Sequence, residues 1–73
     1  MKRSEEEIAI RCRPILGQPD VIDLVGKSSS PTAAYDLVIS IGKDDETAKA
    51  ARWLAVLRRD YPVAYQRLVN SKK

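Results

Sequence analysis

Residues 44–61, with the sequence DDETAKAARWLAVLRRDY, carry the clearest secondary-structure signal in this chain of 73 residues. Asp44 or Asp45 can cap a helix at its start, because a carboxylate oxygen there accepts a hydrogen bond from a backbone N–H that has no other partner. The interior is rich in alanine and leucine, which are strong helix formers. Pro62 disfavours a helical conformation at Tyr61. We therefore predict a helix from Asp44 to about Tyr61.

This helix divides into two faces at about 100° per residue. The apolar face predicted to pack on the core consists of Ala50, Trp53, Leu54, Leu57 and Tyr61. The basic face, which is the candidate partner-binding site, consists of Lys49, Arg52, Val56 and Arg59. We expect the small residues Ala48 and Ala55 to leave the backbone approachable beside it.

Three cations around one apolar residue can pair with phosphates or with carboxylates. A helix surface built for solubility usually interleaves Glu with Lys at i, i+4 spacing, and almost no acid balances these cations in the sequence. A plain solvated surface is the alternative interpretation of the basic face. Trp53 has two interpretations as well, because tryptophan is common both in cores and as an anchor of interfaces.

Three segments before the helix have the composition of strands. Residues 7–13 alternate, with Ile8, Ile10 and Cys12 on one side. Residues 34–41 alternate over a segment rich in β-branched side chains, and the face expected to pack under the main helix consists of Tyr35, Leu37, Ile39 and Ile41. Residues 21–25 form a short apolar run that could be a strand or a single helical turn, and we favour a strand. A second, shorter helix can begin at Pro62 and end near Asn70. The sequence thus predicts an α+β fold, in which one main helix and a short C-terminal helix pack on a small antiparallel sheet.

The chain length predicts one small domain over residues 1–73, with residues 1–6 and 71–73 disordered. The start of the sequence is charged, which argues against a signal peptide, and its apolar stretches are too short to span a membrane. The single cysteine fits a reducing compartment, so we expect a cytoplasmic protein. We also expect a monomer.

Composition argues against catalysis. The chain contains no histidine and one cysteine, so a zinc site of the usual ligand number or a catalytic triad cannot be built. Gly26-Lys27-Ser28 resembles the end of a phosphate-binding loop, but Val21 stands where that loop requires glycine. We predict that the protein is not an enzyme and has no cofactor or metal. Cys12 is expected to be a core residue, because no histidine is present to activate it.

Charge is distributed unevenly along the chain. Residues 1–46 contain six Lys or Arg and nine Asp or Glu, whereas residues 47–73 contain seven Lys or Arg and Asp60 as the single acid. This asymmetry indicates an anionic partner for the C-terminal part. The candidates are an acidic protein surface, nucleic acid and, as the weakest, a membrane surface. Gln66 and Arg67 are the only polar residues of the last helix that could contact bases, so we expect direct nucleic-acid binding to be weak.

From Met1-Lys2-Arg3-Ser4 to Val69-Asn70-Ser71-Lys72-Lys73, the sequence resembles, in length and overall character, the small transcription regulators of lytic bacteriophages of Xanthomonas. This resemblance implies a protein that binds the large subunits of host RNA polymerase, inhibits sigma-dependent initiation of transcription and promotes antitermination. It carries no binding residues over to this chain. The alternative function is that of a small DNA-binding transcriptional repressor with a basic helix.

Overall fold

The computed structural model describes residues 4–70, and these residues form five α-helices and one short 3-10 turn. The helices are α1 (Glu5–Arg11), α2 (Pro19–Lys27), α3 (Pro31–Ser40), α4 (Asp45–Asp60) and α5 (Pro62–Asn70), and the 3-10 turn (Arg13–Ile15) lies between α1 and α2. No strand occurs in this part of the chain. The predicted α+β fold with a small antiparallel sheet is therefore wrong, and the described residues are all-helical.

The first predicted strand, at residues 7–13, is instead most of α1 and the start of the 3-10 turn. Ile8 and Cys12 are both buried, whereas Ile10 between them is 58% exposed. Residues four apart lie on the same side of a helix, so burial of Ile8 and Cys12 fits a helix as well as an alternating strand. The exposure of Ile10 shows that the helical period is the correct one.

The predicted strand at residues 34–41 is α3 with its C-cap, for the same reason. Ala34 and Val38 face the core at i, i+4 spacing. Of the four residues predicted to form the inner face of a sheet, Leu37, Ile39 and Ile41 are exposed and Tyr35 is half-buried. Ser30 starts this helix, because its hydroxyl accepts a hydrogen bond from the N–H of Ala33 at 3.1 Å.

The apolar run at residues 21–25 lies in α2 rather than in a strand. Val21 and Val25 are fully buried and are also one helical turn apart. Pro19 occupies the first turn of α2, where a missing backbone N–H has no cost. All three strand predictions therefore failed on segments whose core residues are spaced by four.

The two helix predictions at the C-terminal side are confirmed. The helix predicted from Asp44 to about Tyr61 is α4, with Asp44 as its N-cap and Tyr61 as its C-cap. The shorter helix predicted to begin at Pro62 is α5, and it ends at Asn70. Gly42, with a φ of 89°, forms the turn that leads from α3 into α4.

Helix α4 lies at the centre of the molecule, in contact with the other four helices and with the 3-10 turn. Its buried residues are Ala48, Ala50, Ala51, Leu54, Ala55 and Leu57. The alanines allow neighbouring helices to approach α4 closely, and the two leucines fill the core. Ala48 and Ala55 are therefore not beside an approachable backbone, as the sequence suggested, but are 0% and 6% exposed.

Ser4 caps α1 by accepting a hydrogen bond from the N–H of Glu7 at 3.2 Å, and Glu5 and Glu6 follow in the first turn. Disorder was predicted for residues 1–6 and 71–73. Ser4, Glu5 and Glu6 belong to the start of α1, and residues 1–3 and 71–73 lie outside the described residues. Core residues from all five helices belong to one cluster of buried side chains.

The start of α4 gives a testable prediction. Asp44 accepts a hydrogen bond from the N–H of Thr47 at 3.0 Å, and the side chain of Thr47 together with this N–H holds the pKa of Asp44 below its ordinary value. Asp44→Ala should lower the thermal midpoint of unfolding at neutral pH, whereas Asp44→Asn should leave it nearly unchanged, because asparagine is an equally good cap. Thermal unfolding followed by circular dichroism measures both.

The depressed pKa also fixes a pH dependence. Stability from the Asp44 carboxylate is present above its unfolded pKa of about 3.8 and is lost as the pH falls through the lower, folded value. The difference in midpoint between the original protein and Asp44→Ala should therefore shrink below about pH 4. A difference that stays constant down to lower pH would contradict this origin of the stability.

Candidate functional site

The basic face predicted on α4 is a continuous outward surface of the structure. Lys49, Arg52 and Arg59 are exposed, and Val56 is half-buried and packed against the core. These four residues are brought together because the rest of the helix circumference is occupied by the residues that pack on neighbouring helices. We call Lys49, Arg52, Val56 and Arg59 the α4 surface.

Two of the three cations in the α4 surface have acidic partners. Lys49 Nζ lies 3.1 Å from Asp45 Oδ2, one helical turn away, and Arg59 Nε lies 3.2 Å from Asp60 Oδ1. The expectation that almost no acid balances these cations is therefore wrong. Asp45 was counted only as a helix cap, but Asp44 is the cap and Asp45 is free to pair with Lys49.

Asp45 joins the α4 surface to α3. The hydroxyl of Tyr35 donates a short hydrogen bond to Asp45 Oδ1. This hydrogen bond, followed by the one from Lys49, lowers the pKa of Asp45. The same contacts raise the pKa of Lys49 and that of Tyr35, in both cases chiefly through Asp45. At neutral pH Asp45 is therefore a carboxylate, and it lies between the neutral phenol of Tyr35 and the ammonium group of Lys49.

Arg52 differs from the other two cations. Its guanidinium has no carboxylate within ion-pair distance among residues 4–70 and lies 6.0 Å from the centre of the Tyr35 ring. A guanidinium over an aromatic ring keeps its N–H donors at the edges, where they stay available to another group. Arg52 is therefore the cation of the α4 surface most open to an acidic partner.

Trp53 borders the α4 surface on the side of α1. The indole is half-buried and packs against the core, while the guanidinium of Arg11 lies 5.2 Å from its ring centre. Arg11 is held in turn by Glu7, at 3.4 Å. Trp53 thus packs against the core, which is the first of the two roles considered for it. The exposed part of its side chain lies next to the α4 surface.

The sequence did not reveal Tyr35 and Arg11 as neighbours of the α4 surface. Both were assigned to strands, and Tyr35 was expected to lie beneath the main helix rather than beside its outward face. Cation–aromatic pairs between different helices depend on tertiary packing, which no local pattern records. A helical reading of residues 31–40 would have found Tyr35 outside the Ala34–Val38 stripe, but not its contact with Arg52.

The site has the chemistry of a charged contact surface. It presents guanidinium and ammonium donors, two aromatic rings and one apolar side chain. Within residues 4–70, no three His, Cys, Asp or Glu side chains are grouped so that they could hold a metal ion. In the same range, no helix is both long enough and apolar enough to cross a membrane.

Comparison with known proteins does not assign this chain to a family. No family model, no curated protein and no solved structure matches the chain. Residues 4–70 form a small all-helical domain that is built around α4, and the outward side of α4 is basic.

Proposed function

We propose that this chain is a non-enzymatic regulator that binds an acidic surface of bacterial RNA polymerase through the α4 surface. The single observation that carries the proposal is the position of Arg52, which is exposed, has no carboxylate within ion-pair distance in residues 4–70 and lies near the Tyr35 ring, with Asp45 attracting it only from farther away. The resemblance of the sequence to phage transcription regulators supports polymerase as the partner. On that basis the protein inhibits sigma-dependent initiation and promotes antitermination, in the bacterial cytoplasm.

The geometry of the surface supports a protein partner. Ion pairs at an interface contribute most when the cations are held in place before binding. Lys49 pairs with Asp45, and the guanidinium of Arg52 lies near the Tyr35 ring, so both contacts favour particular positions of these cations before binding. The half-buried Trp53 and Val56 add apolar area beside the cations, which is the usual composition of a protein interface.

The structure offers less support for DNA recognition. Helices α2 and α3 are joined by the three residues Ser28–Ser30, a length found in helix-turn-helix units. However, α3 contains no Lys or Arg and carries Asp36, so it has no cation to place against phosphates or guanine. Helix α5 contributes Gln66 and Arg67, and its first turn exposes Val63.

Charge reversal of the α4 surface tests the proposal. The double variant Arg52→Glu, Arg59→Glu should weaken binding to purified bacterial RNA polymerase by about a hundredfold or more, because each reversed charge at an interface costs several kcal/mol. The matched control is Arg13→Glu, Arg67→Glu, which changes net charge equally at two exposed arginines outside the α4 surface. The control should bind within about threefold of the original protein, since scattered surface charges contribute little.

The measurement is a direct binding titration against the polymerase, with circular dichroism to show that both variants remain helical. A parallel titration against generic duplex DNA should show weak binding. Tight, steeply salt-dependent DNA binding would support the repressor function instead. Equal affinities of the two double variants for polymerase would show that the α4 surface is only a solvated helix face.

A further inference from the structure

A cleft of about 340 Å³ lies at the end of α4, where the loop from α2 to α3 meets the start of α5. The polar residues that line it include Ser29, Ser30, Arg58, Arg59, Tyr65 and Gln66. Its volume falls within the range of about 300–1,000 Å³ that is typical of small-molecule sites. It contains neither Lys49 nor Arg52, and it shares only Arg59 with the α4 surface.

The charged groups of the cleft are donors. Arg58 uses one N–H to bind the backbone carbonyl of Ser28 at 3.3 Å, which fixes its guanidinium against the loop. Arg59 pairs through Nε with Asp60, so its two terminal nitrogens are not used by that contact. A guanidinium has five N–H donors, so both arginines retain donors for a ligand. No carboxylate is among the lining residues.

Tyr65 adds a hydroxyl donor to the cleft. The residue is only 7% exposed, yet its hydroxyl makes no hydrogen bond with any residue from 4 to 70. In this range no polar side-chain atom is both fully buried and without a partner, so the hydroxyl oxygen must reach solvent, and Tyr65 lines the cleft. The hydroxyl is therefore a donor at the wall of the cleft that can bind a ligand atom in place of water.

Gly26 of α2 lies next to this hydroxyl. A Cβ atom at position 26 would lie 3.6 Å from Tyr65 Oη, which is an ordinary contact distance. The starts of α3 and α5 border the cleft through Ser30, Pro31 and Pro62, and so does the C-terminal end of α4, so the partial charges of these helix ends oppose one another. The two guanidinium groups and the hydroxyl favour a negatively charged ligand.

We propose that this cleft binds the terminal phosphate of a small molecule, that is, a phosphate monoester. Two guanidinium groups suit the dianion of a monoester, because each can donate two parallel hydrogen bonds to phosphate oxygens. The remaining volume accommodates an organic group next to Gln66 and Tyr65. The site is unrelated to a nucleotide-binding loop, because Gly26 and Lys27 end helix α2 and Val21 is buried inside it.

The test is an NMR titration of the labelled protein with inorganic phosphate and with ribose 5-phosphate, at constant ionic strength. We expect saturable shifts at the amides of Ser29, Ser30 and Gln66 with both, and tighter binding of the sugar phosphate. Arg58→Gln should lower affinity by about tenfold or more, because a hydrogen bond to a charged group is lost. Arg67→Gln, an exposed arginine of α5 outside the cleft, should leave affinity unchanged.

Tyr65→Phe keeps the test informative if Arg58→Gln fails to fold without its bond to Ser28. It removes only a hydroxyl that has no partner in residues 4–70, and it should weaken binding by about threefold to tenfold. Dimethyl phosphate, a monoanionic diester like the backbone of nucleic acids, should bind at least about tenfold more weakly than ribose 5-phosphate. Absence of saturable shifts, equal binding of the diester, or equal losses for Arg58→Gln and Arg67→Gln would each overturn the proposal.

Discussion

Leu54→Ala is expected to remove most of the stability of this fold. Leu54 lies in the middle of α4 and is completely buried where the other helices meet. Truncation of a buried leucine to alanine costs about 2–5 kcal/mol, because apolar contacts are lost and a cavity is left. Domains of this length seldom have more than about 3–5 kcal/mol of net stability. The variant should therefore be close to its unfolding midpoint in water at room temperature.

Urea denaturation followed by far-UV circular dichroism measures the effect. Leu37→Ala is the matched control, because it makes the same chemical change on α3 at a side chain that is 36% exposed. It should change the free energy of unfolding by no more than about 0.5–1 kcal/mol, as expected for a partly exposed site. Similar losses for the two variants would mean that α4 is not the centre of the core.

The helices near the C-terminus could be predicted because each has a local start and stop signal. Asp44 and Pro62 mark the beginnings of α4 and α5, and the signal extends over sixteen residues in α4. The N-terminal helices also have start signals, at Ser4, Pro19 and Ser30, and with seven to ten residues they are about as short as α5, but their apolar residues alternate or form one short run. Over so few residues, apolar positions spaced by four fit both a helix and an alternating strand, and β-branched composition then favoured the wrong choice.

The α4 surface could be predicted because it lies on one helix, where spacing alone decides which residues share a side. The residues that surround this surface could not be predicted from the sequence. The predicted sheet would have covered one side of α4 and left Ala48 and Ala55 outside the core. Helices packed on several sides bury both alanines, and they place Tyr35 and Arg11 beside the cations. These relations depend on the arrangement of several helices, which has no local sequence signal.

The thiol of Cys12 is expected to react with alkylating reagents about a thousandfold or more slowly in the folded protein than in denaturant. Cys12 is fully buried, so a reagent cannot reach it without an opening of the structure. Burial also raises the pKa of Cys12 from 9.0 to about 12, which suppresses the reactive thiolate near neutral pH. Labelling with iodoacetamide, followed by mass spectrometry, measures the two rates.

The raised pKa also predicts the direction of a pH effect on stability. The folded state holds the Cys12 proton more tightly than the unfolded chain does. Its contribution is therefore fully present below pH 9 and is lost as the pH rises from about 9 to about 12. Cys12→Ala lacks this contribution, so the alkaline loss of stability should be smaller in that variant. Comparison of the two proteins removes the contributions of tyrosine and lysine titration, which they share.

The labelling rate of Cys12 in the Leu54→Ala variant shows whether Cys12 is exposed by unfolding of the whole domain or by a local opening. If the whole domain must unfold, labelling of the variant should accelerate by the factor that corresponds to its lost free energy, about tenfold for each 1.4 kcal/mol. Such coupling is expected, because Cys12 and Leu54 belong to the same core cluster, although one follows α1 and the other lies in α4. An unchanged labelling rate in Leu54→Ala would instead show that α1 separates from α4 by itself, and that the core does not unfold as one unit.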